Sequence, residues 1–469
     1  MQLVDEAMAW LQAARLQVAG WDWLLIWCGV GVSAGLFAVV SGLVAHRRRK
    51  AYVVALSRRV ERETEALKQE LRRRLSEPSQ LFDDHLNGAP TLGAREAFES
   101  DIEAAAASVL REAGGERRKA RDLLRERLAR DGAGGKGTLN GTEARTWRQL
   151  GALALVDGSP DALASYRRAA ELAPEDLEAH LVLGVLSLRK GELDAADAAF
   201  RRLIELAHSA TEARLRYRGR TMLGDVCAAR HKPIEALEVY AEARREIEAL
   251  LAAHPDEPAL SRDLSVILDR IGDVHTTLGD LEPALASYQA GLAIAERLAR
   301  AEGGSNPELL HDLSVSHDRI GDLLDRKGDL AGALGHLRRS LAITKALVRS
   351  DQHNAAWARD LSASYERVAD ILHAQGKVDQ ALKRYRLGLD IAEHLAAQAG
   401  IADAAVLRDL AVSYHKIGTL EAMGGRADAA RELLEKGRGI IAHLDRIAAH
   451  RAQWRADLSK FDAALKTLH

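Results

Sequence analysis

Cysteine is nearly absent: Cys28 and Cys227 are the only two in 469 residues. Two thiols cannot build a disulfide framework, nor supply the close Cys/His pairs that structural zinc requires. The 17 histidines do not fill the gap. His311 and His317 lie six positions apart on one helical stretch and so point in different directions, as do His415 and Glu421. Aromatic residues make up only 4% of the chain and no basic stripe interleaves with them, which argues against nucleic-acid binding. The net charge is −2, so the whole chain is not a polyelectrolyte binder. No Ser/His/Asp or Cys/His set stands out from the background. The stretch Gly132-Ala-Gly-Gly-Lys136-Gly-Thr138 lacks the preceding strand of a phosphate loop, and Gly137 separates the lysine from the threonine. The expectation is therefore a non-enzymatic chain with no catalytic residue, metal or cofactor.

What is present is repetition. Arg262-Asp-Leu-Ser-Val, His311-Asp-Leu-Ser-Val, Arg359-Asp-Leu-Ser-Ala and Arg408-Asp-Leu-Ala-Val are four copies of one phrase. Their aspartates Asp263, Asp312, Asp360 and Asp409 fall 49, 48 and 49 residues apart, and Asp457-Leu-Ser opens a fifth copy 48 further on. A fixed period of this kind marks a stacked array whose units bury their apolar faces on one another. Leu264, Leu268, Ile271, Val274 and Leu278 recur at helical spacing, and Ala284, Leu285, Tyr288, Leu292 and Leu298 do so after Gly279-Asp280. The unit is thus a helix, a Gly-containing turn and a second helix. The turn recurs at Gly328-Asp329, Gly376-Lys377 and Gly424-Gly425.

Small residues recur with a bulky partner. Trp147-x-x-Leu150-Gly151 with Ala162, Tyr166, Ala169 and Pro174 resembles the tetratricopeptide repeat (TPR) signature. The same template takes Gly184 with Ala196 and Phe200, then Gly224 with Ala236 and Tyr240, then Gly272 with Ala284 and Tyr288. Gly321 with Ala333 and Leu337, Ala369 with Ala381 and Tyr385, and Gly418 with Ala430 and Leu434 complete it. The resemblance implies an all-α fold: about seven helical hairpins over 142–448, closed by a capping helix from Ala452 to Leu468. The signature positions 151, 184, 224, 272, 321, 369 and 418 step by 33, then 40, then 48 or 49. The later helices should therefore reach about 20 residues, or about 30 Å. Such long helices are similar to those of bacterial signalling arrays and kinesin light chains.

Residues 23–45 carry no charge, long enough to cross a hydrocarbon core of about 30 Å. His46-Arg47-Arg48-Arg49-Lys50 follows at once, whereas residues 1–22 hold three acids and one arginine. This asymmetry places the amino terminus outside and all that follows in the cytoplasm. A cleaved leader would need a basic start and a small-x-small site, and neither is evident. The expected organisation is a short external segment (1–22), a single transmembrane helix (23–45), a basic juxtamembrane helix (46–77), a helical spacer (78–141) and the solenoid (142–469). Residues 46–77 hold eleven basic and five acidic side chains, which suits a coiled coil, a lipid-bound helix or a solvated stalk. Gly31-Val-Ser-Ala-Gly35, continued by Ala38 and Gly42, is a ridge through which two spans could form a homodimer. Arginine outnumbers lysine roughly four to one, which with the alanine richness suggests a bacterial genome, and hence a bacterial inner membrane.

In TPR hairpins the third residue before the signature position and the one after it line the groove. Carried onto this chain, the candidate peptide-binding residues are Asp269, Asp273, Asp318, Asp322, Glu366 and Asp370, with Asp325 a turn further along and His415 and Thr419 closing the row. Stacked carboxylates would favour a basic partner segment. Pairing at i,i+3 with Arg270, Arg319 and Arg367 would instead make them a solvated face. The expected function is a membrane-anchored scaffold that binds a protein or peptide. Regulation of a membrane enzyme or protease is a second reading. It is similar to a TPR regulator of lipopolysaccharide synthesis, although that family's C-terminal cysteine module has no counterpart after Cys227. An adaptor subunit of a signalling or defence assembly is a third.

Overall fold

The computed structural model describes residues 106–110, 112–113, 116–131, 140–157, 159–399, 404–447 and 452–468. The expected span at 23–45, the basic segment 46–77 and the Gly132–Thr138 loop lie outside the described residues. Among the described residues no strand occurs, and no helix is long and apolar enough to cross a membrane. They divide into two compact units, one ending at Ser165 and one beginning at Tyr166.

The first unit contains α1 (Arg117–Asp131) and α2 (Asn140–Val156), packed on each other, and the opening turn of α3 (Asp161–Leu172). Ala120, Leu124, Ala144, Ala152 and Leu153 are buried there. Arg121 reaches Asp157 at 3.2 Å, and Gln149 donates to the Ser108 hydroxyl at 2.9 Å. The hairpin expected around Gly151 and Ala162 is thus divided between the two units at Ser165.

The second unit is a run of hairpins: α4 (Leu177–Arg189) with α5 (Leu193–Leu206), α6 (Ala213–Ala229) with α7 (Pro233–Ala253), and α8 (Pro258–Leu278) with α9 (Leu281–Ala301). It continues with α10 (Pro307–Arg326) and α11 (Leu330–Ser350), α12 (Ala355–Ala374) and α13 (Val378–Ala399), then α14 (Ala404–Met423) and α15 (Ala427–Ile447). A last helix, α16 (Ala452–Lys466), packs on α15. The helices lengthen as the period does, from 13 residues in α4 to 21 in α8.

Close approach within each hairpin explains the small signature residue. A Cβ added to Gly184 would lie 2.5 Å from the Phe200 ring, and one on Gly321 would lie 2.6 Å from Leu337. Tyr240 and Tyr288 crowd Gly224 and Gly272 in the same way. The turns between helices need a left-handed residue, supplied by Gly279 (φ 85°), Gly328 (80°), Gly376 (74°) and Gly425 (75°). In the α6–α7 hairpin the same place is held by His231, at φ 56°.

Candidate functional site

In three of the long repeats, those of Gly272, Gly321 and Ala369, three positions around the signature residue carry charge on one helical face. The third residue before it is Asp269, Asp318 or Glu366, and the one after it is Asp273, Asp322 or Asp370. The second before it is basic: Arg270, Arg319, Arg367 and Lys416. A buried charge needs a partner, because taking it out of water costs several kcal/mol. The structure places that partner one repeat away. Arg319 meets Asp269 at 3.0 Å and Asp273 at 3.2 Å. Arg367 meets Asp318 at 3.3 Å and Asp322 at 3.4 Å, and Lys416 meets Glu366 at 3.3 Å and Asp370 at 2.9 Å. Arg270, only 1% exposed, closes the upstream end on Asp225 at 3.2 Å. Each cation therefore reaches back onto the carboxylates of the preceding repeat.

The second helix of the hairpin adds to this. The Tyr288 hydroxyl donates to Asp273 at 2.7 Å, that of Tyr240 to Asp225 at 2.5 Å, and that of Tyr385 to Asp370. The ring that fills the space beside the signature residue thus also anchors the next carboxylate. Burial pushes the Asp269 carboxyl up to about 6 although Arg319 opposes it, and does the same to Asp318 against Arg367. Burial also raises Asp225 and Glu366.

A second ladder explains the repeated phrase. Arg262 pairs with Asp312 at 2.6 Å, His311 with Asp360 at 3.4 Å, Arg359 with Asp409 at 2.6 Å and Arg408 with Asp457 at 3.4 Å. Here the basic residue of one copy reaches forward to the aspartate of the next. Upstream, Asp263 is met by Arg218 at 3.5 Å and by the Tyr217 hydroxyl. The most conspicuous motif in the chain is a splice between neighbouring repeats.

Of the seven carboxylates singled out from sequence, six stand in the first ladder. Asp325 is exposed and no ion pair among the described residues reaches it. The i,i+3 pairing expected within one helix is present at Arg270–Asp273, 3.8 Å, whereas the other cations bind across repeats. Between the two ladders lies a row the charge pattern had obscured: Val266, Val315, Ala363 and Val412, the fifth residue of each phrase. The first three are half-buried and Val412 is exposed. Where the first ladder ends, His415 and Thr419 occupy its acidic positions and Ala464 its basic one. With Met423, Leu434 and Lys460 they line a cavity of about 610 Å³.

A family model described as tetratricopeptide repeat matches residues 177–208, the α4–α5 hairpin. Residues 177–208 are thus similar to a tetratricopeptide repeat. Among solved structures, the apo form of RapI is 14% identical, covers 80% of this chain and 95% of its own, and superposes with a TM-score of 0.50. The TPR-type solenoid is thus the fold of the hairpin array. BtubC from P. vanneervenii is 18% identical over 54% of this chain and 92% of its own, with a TM-score of 0.44. A Rap protein complexed with competence and sporulation factor is 14% identical over 81% of this chain and 98% of its own, at 0.41. No curated protein matches the chain.

Proposed function

We propose that this chain is a membrane-anchored TPR scaffold that holds a protein or peptide partner along the first helices of its array, and that it is not itself an enzyme. The observation that carries the reading is the row Val266, Val315, Ala363 and Val412. These apolar side chains recur once per repeat with part of their surface in water, in register, on a face bordered by charge. An extended segment laid across successive repeats would meet the same small contact each time. Asp322 and Asp370 keep 45% and 43% of their side chains exposed, and Asp325 is exposed. A basic side chain of the partner would gain charge-assisted hydrogen bonds from them.

The uncharged stretch 23–45 and the basic run after it support a single span in a bacterial inner membrane, with the array in the cytoplasm. The ridge at Gly31, Gly35 and Gly42 supports pairing of two spans. The function is then to concentrate a partner at the membrane.

The test compares partners captured by the full chain and by its Val315→Asp/Val412→Asp variant. Loss of a partner with unchanged thermal unfolding is the expected result; identical capture overturns the groove. In spheroplasts, external protease should spare the array, and its digestion would overturn the topology.

A further inference from the structure

Among the described residues α11 differs from every other labelled helix: it carries no Asp or Glu. It does carry Arg338, Arg339, Lys345 and Arg349, with His336 beside them. Three other second helices each pair a cation with a carboxylate of the same helix: Arg244–Glu248 at 2.7 Å, Arg300–Glu296 at 3.5 Å and Lys436–Glu432 at 2.8 Å. On α11, Lys345 lies over the Tyr365 ring, 4.8 Å from its centroid. Arg338, Arg339 and Arg349 are exposed, and no ion pair among the described residues reaches them. One repeat later Lys383 on α13 is exposed and likewise free of an ion pair, while Arg386, at the position of Arg338, binds Glu421 at 2.7 Å. The pKa of His336 is lowered chiefly by burial and further by Arg339, with Glu296 opposing.

We propose that the exposed cationic stripe of α11, extended by Lys383 of α13, docks an acidic protein segment. The proposal rests on the array being an interaction module and adds the chemistry of one partner, at a face distinct from the first-helix row. Arg338 and Arg349 stand eleven residues apart, about 16 Å along the axis, with Ala342 and Ala346 between them. Such a strip, one helix wide and without bulky side chains at its centre, fits an extended chain bearing several carboxylates. Guanidinium groups suit carboxylates because two parallel hydrogen bonds form at once. A flat anionic bilayer fits less well. The position of Arg386 recurs on α15 as exposed Glu435, which lipid phosphates would repel. The helix of the stripe holds no Phe, Tyr or Trp ring on which a nucleic-acid base could stack.

The experiment measures binding of a fluorescent oligo-glutamate peptide to the full chain, with oligo-glutamine, phosphatidylglycerol-containing vesicles and duplex DNA as parallel probes. The variants are Arg338→Glu/Arg339→Glu/Arg349→Glu and, as a control, Val315→Asp/Val412→Asp. Oligo-glutamate should bind the wild type, lose affinity as salt rises from about 50 to about 300 mM, and bind the triple variant about tenfold or more weakly. Thermal unfolding of the triple variant should stay unchanged, and the control variant should bind as wild type does. Absence of oligo-glutamate binding, or binding indifferent to the triple substitution, overturns the inference. Preferential, stripe-dependent binding of vesicles or DNA does so as well. A partner lost with Val315→Asp/Val412→Asp but retained by the triple variant would leave the scaffold reading standing and remove this one.

Discussion

Asp269 and Asp318 are carboxylates that the fold holds against their own solvation. Their folded values near 6 lie above the ordinary carboxylate value of 3.8, and burial is the larger cause in each. A group whose pKa is raised by folding binds its proton more tightly in the native state. Its stabilising contribution is complete below about 4 and is lost as pH rises through about 6. Replacing both by Asn should remove that dependence. The difference in unfolding free energy between wild type and Asp269→Asn/Asp318→Asn should therefore shrink as pH rises from 4 to 7, by about 2–3 kcal/mol per carboxyl. His317 runs the other way, since burial and His336 lower it to about 4, but it is common to both proteins and cancels. Urea unfolding across this range checks the slope; a flat difference would mean that the ladder cations fully offset burial.

At the scale of the element, one helix end stands apart. The turn after α6 uses His231 where the four later turns use glycine. A side chain in the left-handed region costs about 1 kcal/mol or more. His231→Gly should raise stability by up to about 1 kcal/mol, and Gly328→Ala should lower it similarly, both read from melting temperature. A fall in stability for His231→Gly would show that its side chain matters more than its backbone.

These elements also show how far sequence carries. The helices, the glycine turns and the small-residue contacts follow from local spacing, because their causes lie within one hairpin. His231 escapes such a reading, since no glycine announces the left-handed turn. The ladders escape it for another reason. Arg319 and Asp273, or Arg262 and Asp312, lie 46 and 50 residues apart, and a helical wheel sees only neighbours three or four away. The carboxylates of the candidate groove were visible as a row, and Arg270, Arg319 and Arg367 as partners within the same helix; their reach onto the preceding repeat was not. Only their equal spacing, once the period is known, could have brought each cation to its carboxylates.

For the molecule as a whole, the two ladders make a test of modularity. Removing residues 312–359 joins His311 directly to Asp360 and restores the phrase. Arg367 would then face Asp269 and Asp273, and Arg262 would face Asp360, so every charge of the two ladders regains a partner. This shorter array should unfold cooperatively near the wild-type temperature. Removing only 312–335 leaves half a hairpin and should melt far lower, because repeat stability sums intrinsic and neighbour terms. The first deletion also takes away Arg338, Arg339 and Arg349, so a folded protein that no longer binds oligo-glutamate is the expected outcome.

The opposed reach of the two ladders has a consequence for how such a chain can lengthen. One cation points forward to the next copy and the other points back, so a copied period arrives with both a plug and a socket already matched. Duplication inside the run needs no compensating change, and inverted stacking finds like charges face to face. Growth at either edge is different. Val182 and Val185 before the first rung, and His415, Thr419 and Ala464 after the last, offer neither plug nor socket. A copy added at either edge would meet uncharged residues on the first ladder in place of a matched cation and carboxylate.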